Sequence, residues 1–140
     1  MTNAESYGAL LARVLLAFMF ILSGWGKLTD ISGAMAYTAM GGLPGIAVLP
    51  AIAVEILGGL AVIVGWQTRW AALALAVFCV LSGLLYHYLP GRGLEGVAQG
   101  AEMINFQKNL AIAGGFILLA AMGPGRISLD AHRSSRTEAA

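Results

Sequence analysis

Residues 49–88 read LPAIAVEILGGLAVIVGW, then QTR, then WAALALAVFCVLSGLLYHY. Each long run is close to the roughly 20 apolar residues that an α-helix needs to cross a bilayer. The linking residues Gln67, Thr68 and Arg69 suffice only for a tight turn between antiparallel neighbours. Trp66 and Trp70 flank that turn, and indoles at this spacing suit the headgroup level of one membrane face. The runs are continuously apolar, whereas the strands of a membrane barrel alternate. Backbone groups in lipid must find their hydrogen bonds within the segment, which makes each run a helix.

Two further runs lie outward of this hairpin. Residues 8–26 contain one charge, Arg13, and residues 106–122 carry Lys108 in their first turn. Breaks stand at Gly41-Gly42-Leu43-Pro44-Gly45, Pro90-Gly91 and Gly123-Pro124-Gly125, where glycine and proline stop or redirect helices. The predicted fold is therefore all-α, an integral membrane four-helix bundle. It forms a single domain over residues 1–131, with spans at 8–26, 49–66, 70–88 and 106–122 and a cytoplasmic tail at 132–140. In the first loop Asp30 is placed to cap a short interfacial helix, Ile31 to Met40, ended by Gly41. Residues 89–105 read as a polar, glycine-rich loop. The first span lacks the basic lead and small-residue cleavage site of a signal peptide.

Composition agrees. Of 140 residues 59% are hydrophobic and 11% charged, against about 25% charged in soluble domains. Mean hydropathy is +0.80. A soluble chain this small could not bury so much apolar surface. The net charge of +1 gives no basic field for nucleic acid. A single cysteine, Cys79, provides neither an internal disulfide nor a CxxC pair.

Lys and Arg near the span ends set the orientation. Arg13, Arg69, Arg126, Arg133 and Arg136 fall on one side, and Lys27, Arg92 and Lys108 on the other. The expected topology has both termini in the cytoplasm.

Ionisable residues inside spans cost about 2.5–3.5 kcal/mol on insertion scales and usually face the bundle interior with partners. Here they form two groups. The outer group is Lys27, Glu55, His87, Lys108 and Asn109, one polar position or more from each span at similar depth. Tyr37, Asn105 and Gln107 are candidate additions. Glu55, Gly58, Gly59 and Val62 share one helical face, and its glycines let another backbone approach. Lys27 and Lys108 are also explained by snorkelling, Glu55 by a structural salt bridge, and His87 by an aromatic belt with Tyr86 and Tyr88. Glu55 and His87 are too few for a zinc site, so no metal is expected. The inner group is Arg13 and the tail. Arg13 needs an anionic partner, and an Arg13–Asp130 pair is expected to staple the tail to span one. Cys79 is expected to be buried and inert.

The chain resembles the DoxX family of small bacterial four-span membrane proteins. The resemblance rests on Arg13, Ser23-Gly24-Trp25-Gly26-Lys27-Leu28, Glu55-Ile56-Leu57-Gly58-Gly59 and Gly65-Trp66-Gln67-Thr68-Arg69. It continues through His87, Lys108-Asn109-Leu110-Ala111 and Gly123-Pro124-Gly125-Arg126-Ile127-Ser128-Leu129-Asp130, over residues 8 to 131. It implies a location in the bacterial inner membrane. It also implies a role as a small membrane subunit of an oxidoreductase complex, because family members are linked to thiosulfate:quinone oxidoreduction and to thiol or oxidative stress.

Three readings of function stand at this point. One is a redox-complex subunit in which Lys27, Glu55 and His87 contact a quinone, the cofactor considered. A carboxylate and a cationic donor suit the oxyanion that forms on quinone reduction. The others are a small solute or lipid binding or transport protein, and a structural assembly factor. The partners expected are the lipid bilayer, a redox protein and a second copy of the chain. The last rests on the small-residue pairs Ala61/Gly65 and Ala111/Gly115, which serve packing within one chain equally well.

Overall fold

A computed structural model describes residues 2–137. The end of the expected tail, with Glu138, lies outside them. The described residues form six helices and no strand. Helix α1 covers Asn3–Thr29 and α2 covers Ile31–Met40. Helix α3 covers Gly45–Val64, α4 Thr68–Gly91 and α5 Gly96–Met122. Helix α6 covers Leu129–Thr137. Helices α1, α3, α4 and α5 are long and apolar enough to cross a membrane.

Local chemistry sets the boundaries. Thr2 and Glu5 form a reciprocal capping box at the start of α1: the Thr2 N–H donates to Glu5 Oε2 at 2.8 Å and the Glu5 N–H to Thr2 Oγ1 at 3.2 Å. This satisfies two of the N–H groups left over at a helix start. Asp30 closes α1 and opens α2, accepting the Gly33 N–H at 3.0 Å. The interfacial helix thus has the cap and the bounds read from the sequence.

The α4–α5 connection differs from expectation. Helix α4 runs on to Gly91 and α5 begins at Gly96, so residues expected as a 17-residue loop are mostly helical. Helix α4 ends at the expected Pro90-Gly91 break, with a π-helical segment, Leu84–Tyr88, directly before it. The i→i+5 pattern shifts the hydrogen-bond register ahead of a residue that has no N–H to give. A second π segment, Val54–Gly58, lies in α3.

The spans alternate in direction. Helix α1 lies along α3, and α4 along α5. The core is built from Ala17, Phe20, Val62, Ala72, Leu75, Ala76, Cys79, Ala113, Phe116 and Ala120. Phe20 meets Phe116 edge-on at 5.4 Å and Phe78 at 6.3 Å, the arrangement that ring quadrupoles favour. Small residues bring the helices together, since lipid gives no hydrophobic drive between them. A Cβ at Gly59 would lie 2.8 Å from the Ile21 side chain. Gly115 likewise packs on Leu16, and Gly65 on Arg13 and Ser128. Of the two uses open to the small-residue pairs, Gly65 and Gly115 serve packing within the chain. Leu11, Leu15, Phe18, Leu57, Val77 and Leu118 face outward, as lipid-facing side chains should.

Candidate functional site

The buried carboxylate of Glu55 anchors the site at the end of the bundle opposite the tail. The residue is 2% exposed and lies in the π segment of α3. Lys27, in the last turn of α1, places Nζ 2.8 Å from Oε1 and 2.9 Å from Oε2. Ser23, one turn earlier, donates to Oε1 at 2.9 Å and accepts from Lys27 at 2.7 Å. Gly24 between them makes this possible: a Cβ there would strike Ile56 and press on Glu55. A buried charge tolerates its desolvation only when paired and hydrogen-bonded, and the triad meets both conditions.

Above the triad opens a cavity of about 410 Å³. Its polar floor is Ser23, Lys27 and Glu55. Its walls are Pro50, Ala51 and Val54 of α3 and Phe78, Leu81, Ser82 and Leu85 of α4, and Tyr37 and Thr38 of α2 lie across it. Tyr37 stacks on Tyr86 with ring centroids 4.9 Å apart and planes 15° apart. The Tyr86 hydroxyl donates to the Thr38 carbonyl at 3.3 Å. Burial, with the neighbouring Tyr86 and the Glu102 charge, pushes the Tyr37 phenol up.

The expected outer cluster divides. Lys27 and Glu55 come together, and Tyr37 lines their cavity. His87 turns away: its Nδ1 lies 2.7 Å from Oε2 of Glu102 on α5. The π segment at Leu84–Tyr88 presents Tyr86, not His87, to the cavity. Lys108 is exposed and reaches only Asn105 Oδ1, at 3.3 Å. Asn109 donates to the Asn105 carbonyl at 3.1 Å and packs against Gly83. Gln107 is exposed on the same helix. Helix α5 packs mainly along α4 and meets α1 deeper in the bundle, at Phe20 and Leu16, and its polar residues pair within α5 or with His87 rather than with Lys27. Sequence reasoning missed Glu102, hidden in a stretch read as loop, and Tyr86, read as part of an aromatic belt. Ser23 carried a signal in its i−4 spacing to Lys27. Among the described residues no three His, Cys, Asp or Glu side chains are grouped to hold a metal ion.

At the tail end the expected partners Arg13 and Asp130 make no direct ion pair or hydrogen bond among the described residues. Arg13, 1% exposed, donates from Nη2 to the Ile127 carbonyl at 2.6 Å. Its Nε and Nη1 have no hydrogen-bond partner among the described residues. Asp130 instead caps α4, accepting the Gln67 N–H at 2.9 Å, the Thr68 N–H at 2.9 Å and the Thr68 hydroxyl at 2.7 Å. The tail is indeed held to span one, but by a carbonyl, because the unsatisfied N–H groups at the start of α4 compete for the carboxylate. Partial burial opposes ionisation of Asp130, but the hydrogen bonds from Thr68 and Gln67 and the Arg133 charge outweigh it and hold the carboxyl below its ordinary value. Arg69 closes the other helix end, donating from Nη1 to the carbonyls of Ala120 at 2.5 Å and Ala121 at 2.7 Å.

Residues 8–88, which hold Arg13, Lys27, Glu55 and His87, match the DoxX family model. The chain belongs to the DoxX family. Two Escherichia coli (strain K12) relatives are similar over most of their length. Inner membrane protein YqjF is 41% identical, over 93% of this chain and 95% of its own. Inner membrane protein YphA is 35% identical, over 86% of each. The Surfeit locus protein 4 homolog of Drosophila melanogaster is 26% identical over 92% of this chain and 42% of its own length. No solved structure matches the chain. This DoxX-family chain is thus a four-span inner membrane protein.

Proposed function

We propose that this DoxX-family protein is a small membrane subunit of a quinone-linked oxidoreductase complex, and that the cavity above Glu55 receives the quinone headgroup. The observation that carries the reading is an ion pair at the floor of an apolar-walled cavity. Binding sites for ring-shaped cofactors combine mostly apolar walls with a few placed polar groups. Pro50 and Leu81 line the cavity and are also exposed on the lipid-facing surface, which gives an apolar tail a sideways exit into the bilayer. Charge supports the orientation: Arg13, Arg69, Arg126 and Arg133 at the tail end outnumber Lys27, Arg92 and Lys108 at the other. The cavity then opens on the periplasmic side, with both termini cytoplasmic.

In this role the chain's own residues bind and orient. The Lys27 ammonium stabilises negative charge growing on a quinone oxygen, with Glu55 holding the ammonium in place. A bound quinone would supply two-electron, two-proton chemistry, with the electron pair coming from a partner redox protein and the open side of the cavity admitting the protons. Below the triad the packed core of Phe20, Leu75, Cys79 and Phe116 closes the bundle, which favours binding over passage of a solute.

Purified protein in nanodiscs, titrated with a short-tailed quinone analogue, tests the reading. Saturable binding is expected, lost when Ser82→Trp fills the cavity without lowering thermal stability. No binding by the wild type, together with no redox protein retained on purification from native membranes, would overturn it.

A further inference from the structure

The tail end of the bundle carries a second cavity, of about 560 Å³, that has no part in the quinone reading. Its walls include Gln67, Arg69, Trp70, Gly125, Asp130 and Arg133. We propose that this cavity binds a phosphate ester, the headgroup of an anionic phospholipid in the cytoplasmic leaflet.

Four observations carry the proposal. The first is charge: two guanidinium groups line the cavity against one carboxylate. That carboxylate already accepts three hydrogen bonds, from Gln67 and Thr68. The second is preorganisation. The Ala120 and Ala121 carbonyls hold Nη1 of Arg69, so its planar fork is fixed before a ligand arrives, which lowers the entropy lost on binding. The third is access. Gly123, at φ +88°, has no Cβ to press on Arg69, where one would come 3.2 Å from Nη2. The fourth is depth. Trp70 is 72% exposed and Trp66 stands nearby across the turn, and exposed indoles mark the headgroup level. Arginine beside tryptophan at that level meets lipid phosphate on one side and acyl chain on the other. The bilayer thus presents the ligand at high local concentration.

Native mass spectrometry of the full chain, released from micelles of equal phosphatidylglycerol and phosphatidylcholine, tests the proposal. Phosphatidylglycerol is expected to be retained preferentially. Arg133→Ala, at an exposed position on α6, should reduce that preference roughly fivefold, the effect of one interfacial cation, and Arg133→Lys should largely keep it. Equal retention of both lipids by the wild type, or an unchanged preference in Arg133→Ala, overturns the proposal. A parallel thermal-shift titration with inorganic phosphate separates the sources. Stabilisation by phosphate without any lipid preference overturns the lipid headgroup in favour of free phosphate.

Discussion

Lys27 and Glu55, separated by 28 positions in the chain, meet with one ammonium bridging both carboxylate oxygens at 2.8 and 2.9 Å. The two members are unequally placed: the Lys27 side chain is 25% exposed and that of Glu55 is 3% exposed. Removing either partner therefore has different consequences.

Lys27→Met should destabilise the protein more than Glu55→Gln. The first leaves a buried carboxylate with only Ser23. The second leaves a lysine at a helix end that can snorkel to water. Breaking a fully buried pair costs about 3–5 kcal/mol. The partial exposure of Lys27 puts its loss nearer about 2–3 kcal/mol. Thermal unfolding in detergent checks the order, and the double variant should lose less than the sum of the two.

Gly65→Ala should destabilise by about 1–3 kcal/mol, the usual cost of forcing a side chain into a strained backbone region. Gly65 has φ +73°, and its Cβ would collide with Nη1 of Arg13 and with Ser128. Gly114→Ala is the control, because a Cβ there meets nothing within 4 Å. Thermal shifts of the two variants should differ clearly.

Asp130 gives the protein an acid-sensitive contribution. Its folded carboxyl lies below the ordinary 3.8, so the charged form is favoured by folding. Its stabilisation is complete well above that value and is lost as pH falls through it toward the lowered folded value. Asp130→Ala should cost about 1 kcal/mol at neutral pH, as loss of a helix cap does. The variant should also flatten the acid limb of a melting-temperature profile taken below pH 5.

Cys79 is fully buried under the Glu55 floor. A membrane-permeant maleimide should leave it unmodified in the folded protein and label it after denaturation. Labelling of the native state at the denatured rate would mean that the core opens readily.

The sequence carried the spans, the Asp30-capped helix and the short list of charges, because each rests on local chemistry. The Pro90-Gly91 break ends α4 as expected, whereas Gly96 and Gly100 hide the first turns of α5 in a stretch that reads as loop. Nothing in residues 84–88 announces the π segment ahead of Pro90. His87 groups with Glu55 by depth and by its i+4 spacing from Cys79 and Gly83, a spacing that the π segment beginning at Leu84 interrupts. Depth follows from position along a helix, whereas direction follows from its rotation.

Depth is local information and rotation is not. Hydropathy is a sum over neighbours along the chain, so four membrane helices and their charged positions follow from sequence. Partner choice depends on which way each side chain faces. One inserted π residue turns everything beyond it by about 100°. The folded chain therefore decided that Tyr86 rather than His87 faces the cavity. It also decided that His87 belongs to Glu102, and that Asp130 caps α4 while Arg13 takes the carbonyl of Ile127.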